Sequence, residues 1–226
     1  MKFKICSLLF IIGLMPGICL AGLFGYQENE RSNLKLFPQW LSVLERAVKQ
    51  RAVEESCESH RQDQCHIRNW MRFLRSIKHE SRRKQIALVN LYANQQDYIL
   101  DVDNYGVEDF WATPREFLSN HGDCEDYAIT KMLSLKILGF DMRRVRLVVL
   151  QDTNLRIAHA VLAIDVQGGV QRGVKGEVVK NASVQKTRDT LIMDNQVDEV
   201  ISHKYILHYV PVYAVNENKW WMFLPH

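Results

Sequence analysis

The amino-acid sequence predicts an α+β fold, in which a helical first half is followed by a half rich in β-strands. Three observations lead to this prediction. Apolar residues recur at helical spacing over residues 37–139, β-branched runs separated by turn residues fill residues 143–221, and a strongly apolar helix joins the two halves. With 226 residues, 47% of them hydrophobic and 24% charged, the composition excludes a disordered or fibrous chain.

The individual elements follow from the same patterns. Apolar residues spaced three and four apart predict helices at residues 37–59, 70–77 and 84–95. Runs of Val, Ile and Leu bounded by turn residues predict strands at residues 145–150, 157–166, 174–179, 191–193 and 205–215. Pro211 limits the last strand to a sheet edge or a bulge.

The first 21 residues have the pattern of a secretory signal peptide. Two lysines precede an apolar stretch over residues 5–15, and the small residue Ala21 follows. The stretch is too short to span a bilayer, which takes about 20 residues, and no later stretch reaches that length. We therefore expect residues 1–21 to be removed and residues 22–226 to form one exported domain without a membrane span. A lipid anchor on Cys19 is the competing interpretation, and the bulky residue before it argues against that anchor.

The charge pattern argues against a nucleic-acid partner. The formal net charge is +3, and the basic residues are spread along the chain, whereas binding to phosphate backbones needs clustered Lys and Arg. The charge therefore gives no indication of the substrate.

Three of the five cysteines lie beyond the predicted signal peptide. Cys57 and Cys65 predict a disulfide that ties two helices, as is common in exported proteins. With His60 and His66 they could instead form a zinc site, but their spacing matches no common zinc finger. If Cys57 and Cys65 pair, Cys124 is left as an unpaired thiol, which an exported protein retains for a reason.

Cys124 lies at the start of the central helix. Seven of the eleven residues over 128–138 are apolar, which predicts a buried helix. Asp123 is suited to cap its N-terminus and Gly139 its C-terminus. In the first turn of a helix, unpaired backbone N–H groups and the helix dipole favour a thiolate. Position alone does not distinguish a reactive thiol from a small buried apolar residue.

His159 and Asp194 could activate such a thiol. His159 lies inside one predicted strand, and Asp194 ends another. An imidazole beside Cys124 could take the thiol proton and later pass it to a leaving amine, while a carboxylate orients the ring. The backbone N–H of Cys124 is a candidate oxyanion donor. The sequence does not identify the second donor: the indole N–H of Trp111 could supply it, but a core position for this aromatic residue is the stronger interpretation. The spacing leaves three alternatives for the base and the carboxylate: His121, His203 and Asp198.

These segments resemble the transglutaminase-like cysteine proteinases, and more closely the LapG-type periplasmic proteases of bacteria. The resemblance is carried by Asp123-Cys124-Glu125-Asp126-Tyr127-Ala128, His159-Ala160-Val161-Leu162 and Leu191-Ile192-Met193-Asp194-Asn195, and it covers most of residues 37–221. It implies a papain-like or transglutaminase-like core, in which the helix that bears the nucleophile packs on an antiparallel sheet. It also implies a Cys124-His159-Asp194 triad with cysteine endopeptidase activity.

The resemblance further implies a substrate, a partner and a location. Proteases of this type act in the periplasm on the N-terminal region of a large surface adhesin, and its release disperses the biofilm. An inner-membrane, LapD-like receptor for cyclic di-GMP inhibits them. The same residue types also fit a transglutaminase or a cell-wall amidase, because all three reactions pass through an acyl-enzyme. A non-catalytic binding module with an inert Cys124 is the remaining alternative.

A calcium ion is also implied, with Asp123 and Glu125 as ligands and Asp126 as an additional candidate. The residues give an independent reason to expect a cation. A carboxylate about 6 Å from the sulfur disfavours the thiolate by roughly 3 kcal/mol at an effective dielectric constant of about 20, or about two pKa units. A divalent cation held by carboxylate oxygens would cancel this field. For Asp126 above all, a favourable first-turn position in the helix is the alternative interpretation.

Overall fold

The computed structural model describes residues 22–53, 62–167 and 188–225. The helices in these ranges are α1 (Pro38–Val53), α2 (Gln62–Ser76), α3 (Arg82–Asn94), α4 (Asp101–Asn104), α5 (Pro114–Asn120) and α6 (Cys124–Ile137). The strands are β1 (Gln27–Arg31), β2 (Val145–Asp152), β3 (Ile157–Gln167), β4 (Arg188–Met193), β5 (Ile201–Ser202), β6 (Tyr209–Val215) and β7 (Trp220–Leu224). This order of elements confirms the predicted α+β fold class. None of the described helices has the length and apolar character needed to cross a membrane.

The described strands form one antiparallel sheet in the order β1-β7-β6-β2-β3-β4-β5. β3 lies between β2 and β4, and Leu162 of β3 pairs with Met193 of β4. Because the strands are antiparallel, the chain that leaves β4 at Asp194 runs toward the start of β3. The register therefore brings Asp194 near His159, the third residue of β3.

Apolar clusters cover both faces of the sheet. Leu147 and Leu162 point to the face on which the helices pack. Their neighbours Val148 and Val161 point to the opposite face, where Leu23 from the N-terminal segment joins the second cluster. Since successive side chains of a strand alternate between faces, β2 and β3 carry apolar side chains on both faces. This explains the uninterrupted apolar runs in their sequences.

The central helix α6 packs against β2, β3, α3 and α5. Its buried residues run almost without a break from Glu125 to Leu135. Asp123 is the N-cap residue, and Gly139 follows the helix with a φ of 78°, a left-handed conformation that glycine adopts without strain. The predicted buried helix and both of its capping positions are therefore observed.

The last predicted strand differs from the structure at its start. Its first residue, Tyr205, belongs to a short 3₁₀ turn, and β6 begins at Tyr209. The pairing of β6 with β2 shifts register opposite Pro211, between Val149 and Leu150, because proline has no N–H for the ladder. The bulge predicted from Pro211 is therefore present.

Other predicted features lie outside the described residues. They are the signal peptide over residues 1–21, the strand over residues 174–179 and the pairing of Cys57 with Cys65. These remain predictions.

Candidate active site

The thiol of Cys124 lies at the N-terminus of α6, beside β3. Cys124 is the first residue of the helix, so its backbone N–H has no partner within the helix. The Sγ atom donates a hydrogen bond to Oε2 of Glu125 at 3.3 Å. The backbone N–H of Ala160 in β3 hydrogen-bonds to the sulfur. The thiol therefore lies beside the β3 residue that follows His159. Cys124 is a free, partly exposed cysteine.

The surroundings raise the pKa of the Cys124 thiol well above its ordinary value. Burial is the largest cause, and the negative charges of Glu125 and Asp123 follow, while the N–H of Ala160 acts in the opposite direction. The effect of the two carboxylates has the direction expected from the sequence. A nucleophilic thiol needs a lowered pKa, whereas these carboxylates raise it. Formation of the thiolate therefore requires a compensating positive charge near these residues.

His159 and Asp194 form a buried hydrogen-bonded pair. Nε2 of His159 lies 3.0 Å from Oδ1 of Asp194, and the residues are only 3% and 2% exposed. Burial alone would raise the pKa of Asp194, but the hydrogen bond and charge of His159, together with the N–H of Gln196, outweigh it and lower that pKa. With Nε2 as the donor to this carboxylate, Nδ1 is the ring nitrogen left free to accept a proton.

Tyr209 is a third member of this group, and sequence analysis did not identify it. Its hydroxyl donates to Oδ2 of Asp194 at 2.5 Å. Its ring also meets the His159 ring edge to face, with 5.8 Å between the ring centroids. Both oxygens of Asp194 are therefore bonded, and the imidazole is packed on one side. In the sequence, Tyr209 is one aromatic residue at the start of an apolar strand, which gives no signal for this contact.

Two asparagines of α3 hold the loop that follows Asp194. Nδ2 of Asn94 donates to the carbonyl oxygen of Asp194 at 3.0 Å and to Oδ1 of Asp198 at 3.1 Å. Nδ2 of Asn90, one helical turn earlier, donates to the carbonyl oxygens of Val197 and Asp198. Because these side chains share one face of α3, the helix fixes the position of Asp194. Asp198, the alternative candidate for the carboxylate, takes part in these hydrogen bonds through its side chain and its carbonyl oxygen.

The alternative histidines are bonded elsewhere. Nδ1 of His121 accepts the backbone N–H of Asp97 at 3.2 Å. Nδ1 of His203 accepts the backbone N–H of Phe24 at 3.0 Å. The hydrogen bond to the predicted carboxylate Asp194 is made by His159.

Carboxylates cluster around the start of α6. The possible ligand atoms of Asp101, Asp109 and Glu125 all lie within 4.8 Å of one another, and so do those of Asp101, Asp123 and Asp126. Asp123 and Glu125 are the predicted calcium ligands, whereas sequence analysis did not identify Asp101 or Asp109. These two acidic residues come from the segment before α5, and only the fold brings them to the central helix.

The chemistry of this cluster fits a hard divalent cation. In the described part of the chain, Oδ1 of Asp101 and Oδ1 of Asp123 are buried and accept no hydrogen bond. Burial, then the hydrogen bond with Asp123 and the charges of Asp123 and Asp126, raise the pKa of Glu125 to about 10. Burial likewise raises the pKa of Asp101 to about 6. Crowded carboxylates with unbonded oxygens are the ligands that Ca²⁺ prefers, so Asp101, Asp109, Asp123 and Glu125 could hold it.

Asp126 has a different part in the cluster. Its Oδ1 accepts the backbone N–H of Ala112 at 2.6 Å, and its Oδ2 accepts that of Asp123 at 3.4 Å. Gly122 leaves room for this carboxylate, because a Cβ at Gly122 would lie 2.1 Å from Oδ2 of Asp126. Asp126 therefore braces the turn before α6. This favours the helix-terminus interpretation of Asp126 over a role as a ligand.

Comparisons with known proteins relate the chain to a protein family and to solved structures. The sequence matches the model of the bacterial transglutaminase-like cysteine proteinase family over residues 45–173, a segment that contains Cys124 and His159. No curated protein matches the sequence. The fold is similar to solved structures of Legionella pneumophila LapG, one of them calcium-bound and one EGTA-treated, with a TM-score of 0.58 and 23% sequence identity.

The similarity to LapG covers 78% of this chain and 87% of LapG, or 84% for the EGTA-treated structure. At this sequence identity it supports the fold, while the family rests on the sequence match. That match spans more than half of the 226 residues. The chain therefore belongs to the bacterial transglutaminase-like cysteine proteinases.

Proposed function

We propose that the protein is a calcium-dependent periplasmic cysteine endopeptidase. In this proposal Cys124 is the nucleophile, His159 is the general base and acid, and Asp194 orients His159. The observation that carries the proposal is the buried hydrogen bond between His159 and Asp194. His159 directly precedes Ala160, whose backbone N–H contacts the free Cys124 thiol at the N-terminus of α6. Membership of a cysteine proteinase family supports it.

The proposed reaction uses each of these groups in turn. Nδ1 of His159 takes the proton of the Cys124 thiol, and the thiolate bonds to the carbonyl carbon of the scissile peptide. The backbone N–H of Cys124 donates to the oxygen that becomes negative. His159 then gives its proton to the leaving amine, and a thioester remains. A water molecule, deprotonated by His159, hydrolyses the thioester and restores the thiol.

Calcium is proposed at the carboxylate cluster of Asp101, Asp109, Asp123 and Glu125. The support is the crowding of these carboxylates and the two buried oxygens that accept no hydrogen bond within the described residues. The similar fold of Legionella pneumophila LapG has been solved with calcium bound. When bound, the cation would offset the negative field of the carboxylates at the thiol.

The substrate and the control of the enzyme are proposed from the sequence resemblance to LapG-type proteases. The substrate is the N-terminal region of a large surface adhesin, which is released on cleavage so that the biofilm disperses. An inner-membrane receptor that responds to cyclic di-GMP would inhibit the enzyme. The choice of an adhesin over other protein substrates rests on this sequence resemblance.

The direct test is to incubate residues 22–226 with the N-terminal region of a large adhesin encoded in the same genome. We expect one discrete cut that is lost in Cys124→Ala and in excess EGTA, and that returns when calcium is added back. Glu125→Gln should need more calcium for half-maximal cleavage, since it removes one charged ligand. Glu45→Gln, an exposed position on α1, is the matched control and should behave as wild type.

Two results would contradict parts of the proposal. Full cleavage in excess EGTA would exclude the calcium requirement. Absence of cleavage by a folded protein whose Cys124 still alkylates readily would exclude the adhesin, and it would direct the search to cell-wall peptides or amine acceptors of the same acyl-enzyme.

Tyr209→Phe should lower kcat by roughly 10- to 100-fold, because the Asp194 carboxylate loses a hydrogen bond worth about 1.5–3 kcal/mol. Since the Tyr209 hydroxyl helps to lower the pKa of Asp194, the acidic limb of the kcat profile should move to higher pH, with KM little changed. Tyr205→Phe, an exposed residue in the turn before β6, is the control. An unchanged pH profile in Tyr209→Phe would show that the hydroxyl does not act through Asp194.

A further inference from the structure

Tyr98 is fixed beside the first turn of α6, and the reaction described above does not use it. Its backbone forms a parallel β-bridge with Gly122, two residues before Cys124. The N–H of the next residue, Ile99, donates to the carbonyl oxygen of Gly122 at 3.0 Å. The strand-like segment that carries Tyr98 is thus attached directly to the loop that leads into the thiol.

The side chain of Tyr98 is held from a second direction. Its ring stacks on the ring of Tyr127, with 6.4 Å between centroids and 22° between planes. Tyr127 lies on α6, three residues after Cys124, and its own hydroxyl donates to the carbonyl oxygen of Gln96 at 2.5 Å. Tyr98 is nevertheless 52% exposed. It is therefore a positioned tyrosine that a substrate can reach.

The bridge to Gly122 and the ring contact with Tyr127 place Tyr98 beside the helix turn that begins with Cys124. Burial is the largest cause that raises the pKa of Tyr98, and the negative charge of the Cys124 thiolate comes next, ahead of Asp123 and Glu125. The phenol therefore stays protonated at neutral pH. A protonated hydroxyl at this place is a hydrogen-bond donor.

The proposed reaction has so far only one assigned hydrogen-bond donor for the oxyanion. Attack on a carbonyl places a negative charge on its oxygen, and enzymes of this kind stabilise it with preorganised donors, of which the N–H of Cys124 is one. The indole N–H of Trp111, the second candidate from the sequence, donates instead to Oδ1 of Asp109 at 3.0 Å, and its ring lies in the core. Resting on the proposed function, we infer that the Tyr98 hydroxyl is the second oxyanion donor and touches the substrate carbonyl oxygen.

Attack of Cys124 on the substrate carbonyl needs no reactant besides the enzyme and the substrate. The sulfur of Cys124 bonds to the carbonyl carbon, and the π electrons of the C=O bond move to the oxygen. That oxygen accepts hydrogen bonds from the Cys124 N–H and the Tyr98 O–H. When the C=O bond re-forms, the bond to the leaving group breaks and its electron pair leaves with it. Tyr98 keeps its proton throughout.

The test compares two reactions of Cys124 in Tyr98→Phe, which keeps the ring and removes the hydroxyl. Acylation by p-nitrophenyl acetate forms an oxyanion and is measured as the burst of p-nitrophenolate. Alkylation by iodoacetamide forms none, because the thiolate displaces iodide at a saturated carbon. With calcium present, we expect Tyr98→Phe to lower the acylation rate by about 10²-fold and to leave the alkylation rate unchanged. Adhesin cleavage should lose kcat with little change in KM.

Tyr92→Phe is the matched control, because Tyr92 is another partly buried tyrosine whose ring is stacked, at 4.2 Å on Phe73. It should acylate at the wild-type rate. Equal acylation by Tyr98→Phe and wild type would overturn the inference and leave the proposed function intact. Parallel loss of acylation and alkylation would overturn it too, since Tyr98 would then support the thiol and not the oxyanion. A wild type without any burst would contradict the proposed function itself.

Discussion

Asp194→Asn is expected to lower kcat of the proposed acyl transfer by between about 10²- and 10⁴-fold. The substitution keeps the shape of the side chain but removes the charge that stabilises the imidazolium form of His159. It also allows the amide to present an N–H to Nε2, which would favour the wrong tautomer of the ring. The measurement is the rate of the p-nitrophenolate burst, with thermal unfolding recorded beside it to show that the fold is kept.

Asp198→Asn provides the control for this prediction. Asp198 lies in the same loop and also accepts a hydrogen bond from Asn94, but its carboxylate does not bond His159. A large loss confined to Asp194→Asn would therefore report the charge beside the imidazole. Equal losses of kcat in both variants would instead show that the loop as a whole is disturbed. They would contradict the proposal that Asp194 orients His159.

Lys131→Met is expected to stabilise the protein by roughly 1–4 kcal/mol at pH 7. Lys131 lies on α6, is completely buried, and its Nζ has no hydrogen-bond partner among the described residues. Burial lowers the pKa of Lys131 from 10.5 to about 7, and the charges of Asp194 and Asp198 only partly oppose this. The unfolded chain therefore holds this proton more tightly than the folded one.

The sign of the pH dependence follows from these two pKa values. Between pH 7 and 10.5 the unfolded state binds the Lys131 proton and the folded state does not, so this group makes stability rise with pH. The destabilisation is complete below pH 7 and is lost as the pH approaches 10.5. The advantage of Lys131→Met should therefore be largest near neutral pH and should shrink toward pH 10, as measured by denaturant unfolding of both proteins.

Lys136→Met is the control on the same helix. Lys136 is partly exposed and forms an ion pair with Glu217, so its loss should change stability by less than about 1 kcal/mol at either pH. If Lys131→Met gave the same gain at pH 7 and pH 10, the buried charge would not be the cause. If it destabilised the protein, the ammonium would instead be a needed partner of the Asp194 loop.

The elements that carry the candidate site could be predicted because their sequences are unambiguous. α6 is buried over most of its length, and β2 and β3 carry apolar side chains on both faces since both faces of the sheet are covered. β1, with the sequence Gln-Glu-Asn-Glu-Arg, was not predicted. It is an exposed edge strand, and such strands use charged residues to avoid further pairing. It therefore shows no apolar alternation.

The site itself was predictable only where each residue stood on a recognisable element. His159 and Asp194 were found because one lies in an apolar strand and the other ends one. Asp101 and Tyr209 were not found, since their contacts depend on how a loop and a distant strand meet α6 and β4. Tyr98 was missed for the same reason. Its bridge to Gly122 joins two segments that no periodic pattern relates.

The pairing of β1 with β7 sets the order in which the sheet can be completed. Gln27 pairs with Leu224 and Arg31 with Trp220, so these partners are separated by about 200 residues, and bringing such distant segments together is entropically the most expensive contact in the sheet. A chain synthesised from its N-terminus holds β1 without a partner until β7 has left the ribosome. The first strand made is thus among the last to be incorporated, and a chain truncated before residue 220 would keep that edge open.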